Sequence, residues 1–160
     1  MKVGTDGILL GAWATAVNPK WIMDIGTGTG VVALMLAQRF PAAHLVAVEI
    51  DSGACEQAAD NFRDSPWADR MTAVNSAAQE FEPEKQFDLI VSNPPYFDNS
   101  LKPPDADRQS ARHSDTLSLE DLAEAVERLL SPNGRFAVIL PADRAERPRS
   151  LLPSAGLCSR

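Results

Sequence analysis

The chain has 160 residues, 44% hydrophobic and 23% charged, with a net charge of −7. This composition fits one folded domain and excludes a mainly disordered chain. No uncharged apolar run reaches the roughly 18 residues of a membrane helix, and two distant cysteines, Cys55 and Cys158, without a CxxC pair exclude a disulfide framework and a cysteine zinc site.

The charge is unevenly spread. Residues 1–99 hold six lysines and arginines against 13 acids, whereas residues 100–160 hold nine of each sign. An acidic half repels phosphate backbones, so non-specific coating of nucleic acid is disfavoured. A nucleic acid would meet the C-terminal half, where Arg108, Arg112 and His113 cluster. With only His44 and His113 as histidines, no metal centre is expected.

Lys2 followed by the apolar residues Ile8 to Ala16 superficially resembles a leader peptide. Asp6 before the run and Gly11 within it argue instead for a short helix capped by Thr5 or Asp6. The cytoplasm is the expected compartment. Trp21–Ile25 reads as a strand, 26–30 as a glycine-rich turn, and Val31 to Phe40 as a helix stopped by Pro41. His44–Glu49 is a buried strand. Asp51 or Ser52 caps a helix to about Arg63 that buries Ala58, Ala59 and Phe62.

Met71–Asn75 and Phe87–Ser92 are the third and fourth strands, the latter running into Asn93-Pro94-Pro95-Tyr96. Residues 97–117 lack periodicity, as functional loops do. Ser118 and Asp121 form a capping-box pattern ahead of a helix with Leu119, Leu122, Ala123, Val126, Leu129 and Leu130 on one face. Pro132-Asn133-Gly134 predicts a turn and Phe136–Leu140 a fifth strand. A helix after Pro141 is interrupted by Pro148 and Pro153. Alternating strands and helices predict an α/β fold with a doubly wound, mostly parallel sheet. Ligands in such sheets sit at the carboxyl ends of the strands, where the glycine turn, Glu49 and Asn93 all fall.

Asp24-Ile25-Gly26-Thr27-Gly28-Thr29-Gly30 places glycines at alternate positions. A dinucleotide fingerprint spaces its third glycine three residues after the second. Here the spacing is two and two, and Asp24 stands two residues before the first. A carboxylate there repels a pyrophosphate and suits a cationic ligand. Glu49, 19 residues after Gly30, is placed to accept both ribose hydroxyls. Ribose without phosphate, plus an amine or sulfonium, describes S-adenosylmethionine. A nicotinamide-binding protein is the alternative for this half.

At Asn93-Pro94-Pro95-Tyr96 two prolines end the ladder and stiffen the exit. The Asn93 amide oxygen and the Pro94 carbonyl can accept both hydrogens of a planar amine, and Tyr96 offers a ring for base stacking. Accepting both hydrogens favours a pyramidal nitrogen with a free lone pair, as in-line methyl transfer requires. The adjacent His113-Ser114-Asp115 is not read as a triad, because neighbours in a loop do not form one.

These residues resemble class I S-adenosylmethionine-dependent methyltransferases, and the resemblance extends along most of the chain. Lys2-Val3-Gly4-Thr5-Asp6-Gly7-Ile8-Leu9-Leu10-Gly11-Ala12-Trp13-Ala14 is similar to the opening block of the YfiC-like tRNA(Val) adenine-N6 methyltransferases. So are Ser65-Pro66-Trp67-Ala68-Asp69-Arg70 and Arg108-Gln109-Ser110-Ala111-Arg112-His113. The resemblance implies a Rossmann-like fold and methylation of the exocyclic amine of an adenine next to the anticodon. Thr5, Asp24, Gly26, Thr27, Gly28, Gly30, Glu49 and Asn93 would bind the cofactor. Asn93, Pro94, Pro95 and Tyr96 would perform the transfer, and Tyr96, Arg108 and Arg112 would meet the tRNA.

The resemblance also implies no metal, and a monomer in the intact family fold. Against the family this chain is expected to be truncated at both ends: it lacks a short extension before the Lys2 block and supplies five of seven strands. It is therefore expected to be a single methyltransferase domain over residues 1–160, incomplete at its C-terminus, with Phe136–Leu140 as an unprotected edge prone to self-association. Ala77 stands where the family has an acid near the cofactor adenine, with Gln79 or a backbone amide as substitutes. Alternative activities are methylation of a glutamine amide in a release factor, methylation of a guanine amine in ribosomal RNA, and cofactor binding without catalysis.

Overall fold

A computed structural model describes residues 4–94 and 117–140. In chain order the elements are α1 (Thr5–Trp13), β1 (Trp21–Ile25), α2 (Val31–Arg39), β2 (His44–Glu49), α3 (Ser52–Arg63), β3 (Met71–Asn75), β4 (Phe87–Ser92), α4 (Leu119–Leu129) and β5 (Leu130–Val138). The strands form one sheet in the order β3-β2-β1-β4-β5, with every pair parallel. The chain winds outward from β1 to β3, then returns to place β4 on the other side of β1. That reversal opens a crevice between the carboxyl ends of β1 and β4.

Both faces of the sheet are covered, so β1 is buried from Ile22 to Ile25. One face packs Ile22, Leu45, Leu89 and Val91 against Leu10, Leu36, Ala58 and Phe62 from α1, α2 and α3. The other packs Met23, Ile25, Ile90 and Phe136 against Leu122, Val126 and Leu129 of α4. Asp51 caps α3, accepting from Ala54 N at 2.7 Å, and Ser118 and Asp121 form the expected capping box on α4.

Four local expectations change. Gly4, not Thr5 or Asp6, precedes the first turn of α1, and no side chain caps it. Ala59 is exposed, and Cys55 fills that buried position on α3. Helix α2 ends at Arg39, with Phe40 as its C-cap.

The fourth concerns β5, which starts at Leu130 and takes in Pro132-Asn133-Gly134. Phe87 pairs with Leu130 but Leu89 with Arg135, so the extra residues are absorbed as an irregularity in register. Among the described strands β5 is an edge. Pro132, Arg135 and that irregularity blunt the first half of this edge, whereas Phe136–Val138 pair with β4 in regular register and carry no such feature. Residues 95–116, where a long loop is expected, and 141–160, where a final helix is expected, lie outside the described residues.

Candidate active site

The glycine turn is sewn to the end of β2. Gly26 N and Thr27 N both donate to Val48 O, at 2.9 and 3.2 Å. Gly28 N donates to Glu49 Oε2 at 2.8 Å, while Asp51 N donates to Glu49 Oε1 at 3.1 Å. The carboxylate is thereby held by one backbone N–H on each oxygen, and each oxygen keeps acceptor capacity for a ligand hydroxyl. Glu49 is half-buried, so that capacity faces an accessible site. Asn75 Nδ2 grips the same corner from β3, donating to Glu49 O and Ile50 O at 2.8 and 2.9 Å.

Gly26, Gly28 and Gly30 have φ of 69°, 57° and 84°, a region closed to most side chains. Gly30 also lies flat on α3: a Cβ there would meet Phe62 Cε1 at 2.5 Å. Gly26, by contrast, is exposed, with nothing within 4 Å of its would-be Cβ, which leaves its backbone open to a ligand. Asn61 Nδ2 closes the turn from α3 by donating to Thr29 O at 2.8 Å.

Asp24 is buried beneath this turn. Its Oδ2 accepts from Thr27 Oγ1 at 2.6 Å, and its carboxylate also accepts from the backbone N–H of Ala33 in the first turn of α2. Gly30, at the N-cap of α2, has no side chain to serve that turn, and Asp24 supplies the acceptor from β1. Burial pushes the Asp24 carboxyl from its ordinary 3.8 up to about 6, against the pull of the two hydrogen bonds and with a further push from the Glu49 charge. Among the described residues no lysine or arginine pairs with Asp24 or Glu49. The pocket floor is therefore two carboxylates without a cation.

Across the crevice, Ser92 ends β4. It is fully buried, and its Oγ donates to Ile25 O at 2.9 Å, which ties β4 to the strand before the glycine turn. Asn93 follows, half-buried, and then Pro94, buried. The first turn of α1 approaches the same point: a Cβ on Gly7 would lie 3.6 Å from Asn93 Nδ2. Thr5 is exposed at the start of that helix.

The structure thus gathers Asp24, Gly26, Thr27, Gly28, Gly30 and Glu49 on one rim and Asn93 and Pro94 on the other. Pro95, Tyr96, Arg108 and Arg112 lie outside the described residues. Ala77 is half-buried, and its carbonyl is taken up by Glu80 N and Phe81 N, at 3.1 Å each; Gln79 is exposed.

Sequence reasoning missed Gly7, Asn61, Asn75 and Ser92. Each acts through a partner distant in sequence, and only Gly7 carries a local signal, a glycine inside an apolar helix. Arg39 was also missed. It donates to Gly11 O and Ala14 O, both at 2.7 Å, and pins the C-terminal end of α1 to α2.

Solved methyltransferases share this fold. A precorrin-6y C5,15-methyltransferase from Geobacter metallireducens superposes with a TM-score of 0.67 at 16% identity, over 92% of this chain and 68% of that one. A glycopeptide N-methyltransferase complexed with (S)-adenosyl-L-methionine gives 0.54 at 17% identity, over 74% and 46%.

Sequence relatives are much nearer. Proteins named tRNA1(Val) (adenine(37)-N6)-methyltransferase are 50% identical in Bacteroides fragilis, over 98% of this chain and 67% of the relative. The protein of that name in Parabacteroides distasonis is 51% identical, over 96% and 68%. The chain thus spans about two thirds of their length. Residues 4–146 match the family model described as the methyltransferase small domain, and with a crevice built at the strand ends and half its positions shared with named methyltransferases, the chain belongs to that family.

Proposed function

We propose that this protein transfers the methyl group of S-adenosylmethionine to the exocyclic amine of an adenine in tRNA, next to the anticodon. The observation that carries the reading is the pairing of rims: a cation-free carboxylate floor with an open glycine backbone on one side, and Asn93-Pro94 at the end of β4 on the other. The relatives' names supply the substrate class.

The residues present fit the cofactor. Gly26 leaves room for close approach to the backbone. Glu49 is pre-set to accept ribose hydroxyls, and Asp24 gives the pocket floor its negative character. When bound, S-adenosylmethionine supplies an electrophilic methyl on a sulfonium. The chain's part is to orient and polarise. Asn93 Oδ1 and the Pro94 carbonyl accept the two amine hydrogens, the prolines fix the direction of those acceptors, and Tyr96 stacks on the base. Both hydrogen bonds strengthen as the nitrogen becomes pyramidal, so they favour the transition state over the ground state. Arg108 and Arg112 contact RNA phosphates. Among the described residues no helix is long and apolar enough to cross a membrane and no group of side chains could hold a metal ion. The expected cytoplasmic location, in keeping with a tRNA substrate, and a monomeric state belong to this proposal.

The test is incubation of the chain with methyl-labelled cofactor and separate pools of tRNA and release factor. Label in the tRNA pool is expected. Label in the release factor alone would replace this reading with transfer to a glutamine amide.

A further inference from the structure

We propose that α1 is the element that positions the acceptor amide: Gly7, having no side chain, seats the Asn93 carboxamide at the rim of the crevice. Gly7 is in this sense a positioning residue for transfer. The inference rests on the reading of Asn93 given above.

Gly7 is buried in the first turn of α1. Its φ is not in the left-handed region, so the turn does not require glycine, and glycine inside a helix is less stable than alanine. The reason lies in its neighbours. A Cβ at this position would stand 3.5 Å from Val32 Cγ2 and 3.6 Å from Asn93 Nδ2. Both are ordinary contact distances, so a methyl group fits. A heavier side chain that turns its next atom toward either neighbour crowds Val32 or Asn93. Val32 is buried at the start of α2, within the core, and is the more confined neighbour. Asn93, half-buried at a strand exit, is the less confined of the two neighbours.

The position of α1 is fixed from elsewhere. Gly11 lies so close to α2 that a Cβ would meet Met35 Sδ at 2.7 Å, and Arg39 holds the carbonyls of Gly11 and Ala14. Helix α2 therefore serves both rims. Its N-terminal turn takes the Asp24 carboxylate, and its side carries α1 up to Asn93. A reacting group displaced by about 1 Å loses about 10²-fold in rate, so contact between Gly7 and the amide matters to transfer more than to cofactor binding.

The experiment compares Gly7→Ala, Gly7→Val and Asn93→Ala with wild type in the full chain. The probes are S-adenosylmethionine and anticodon stem-loop RNAs carrying adenine or, in its place, purine without the exocyclic amine. Gly7→Ala is expected to keep its rate within about threefold and its melting temperature at or above wild type, because alanine restores helix propensity. Gly7→Val is expected to lose about 10²-fold in single-turnover rate, and with it the preference for adenine over purine RNA. Its calorimetric affinity for cofactor should fall much less than its rate, since Glu49 and the glycine turn lie on the other rim and Thr5 alone among the expected cofactor contacts is on α1.

Wild-type rate and adenine preference in Gly7→Val, with Asn93→Ala inactive, would overturn this inference alone. A parallel fall of rate, cofactor affinity and melting temperature in Gly7→Val would make the role merely structural and overturn it too. If Asn93→Ala keeps full rate, or wild type neither turns over nor prefers adenine, the reading of Asn93 and the inference fall together.

Discussion

On the β1–β2 rim of the crevice, the N–H groups of Gly26, Thr27 and Gly28 all end on Val48 or Glu49, and Asn75 and Asn61 close the corner from β3 and α3. On the β4 rim, Asn93 and Pro94 extend past the last ladder residue, with Ser92 bonded to Ile25 below them and α1 packed behind. The first rim is a net of hydrogen bonds between backbone and carboxylate, able to exist before a ligand arrives. The second is a short exit, tied below through Ser92 and backed by α1. Such a division suits the proposed function, with the cofactor on the first rim and the acceptor amine on the second. It also means that the two rims should fail separately.

The largest separation is expected at Asn93. On the proposed function Asn93→Ala removes an acceptor whose bond is strongest at the transition state, and single-turnover transfer should fall about 10²–10³-fold. Cofactor affinity by calorimetry should fall far less than the rate, because the other expected cofactor contacts, Glu49 and the glycine turn, lie on the opposite rim. An equal loss of both would join the two rims.

Asp24 is expected to produce the next effect, on stability. Its native pKa of about 6 lies above the ordinary 3.8. Between those values the native state holds a proton that the unfolded state has lost, so stability falls as pH rises through this window. The penalty is complete above pH 6 and amounts to about 3 kcal/mol. Asp24→Asn should therefore be more stable than wild type at pH 7 by up to that amount, with the advantage vanishing below about pH 4. Thermal melts of both proteins from pH 4 to 7.5 measure it. Curves that stay parallel would show that Asp24 does not carry the burden.

Glu49→Ala should weaken cofactor binding tenfold or more, as each charge-assisted bond from a ribose hydroxyl contributes roughly 1.5–3 kcal/mol. Glu49→Gln, keeping one oxygen for Gly28 N, should fall between. Calorimetry on the two variants sharpens the comparison, since transfer by cofactor-saturated enzyme should suffer less than binding does. An unchanged affinity would remove the ribose assignment.

The smallest effect belongs to Arg39. Its guanidinium is partly open to solvent, so Arg39→Ala should cost about 1–2 kcal/mol in denaturant melts. Transfer should drop more than cofactor binding, because α1 backs the acceptor rim.

The β1–β2 rim was legible because its constraints are local. Alternating glycines after a strand, an acid two residues before them and an acid at the next strand end are patterns within one 26-residue span, and the structure joins them as read. The five strands were legible from apolar runs, although β5 began six residues early because its edge position tolerates Pro132 and an irregular register. The cap of α1 was misread because Thr5 already lies inside the helix, and Ala59 because a small residue at helical spacing gives no signal of its facing. The support of the acceptor rim was not legible at all. Gly7 and Asn93 meet across 86 positions of sequence, a contact that no periodicity encodes.

The chemistry at the crevice is tested most directly by locating the new methyl group. The chain is incubated with cofactor and two anticodon stem-loops, one with adenine and one with purine at the target position, and the digested nucleosides are resolved by mass spectrometry. N6-methyladenosine from the first RNA and no methylated nucleoside at the target position of the second is the predicted result. A methyl on a ring nitrogen, on ribose or on a guanine amine, or equal methylation of the purine RNA, would contradict a site built to accept the two hydrogens of an adenine amine.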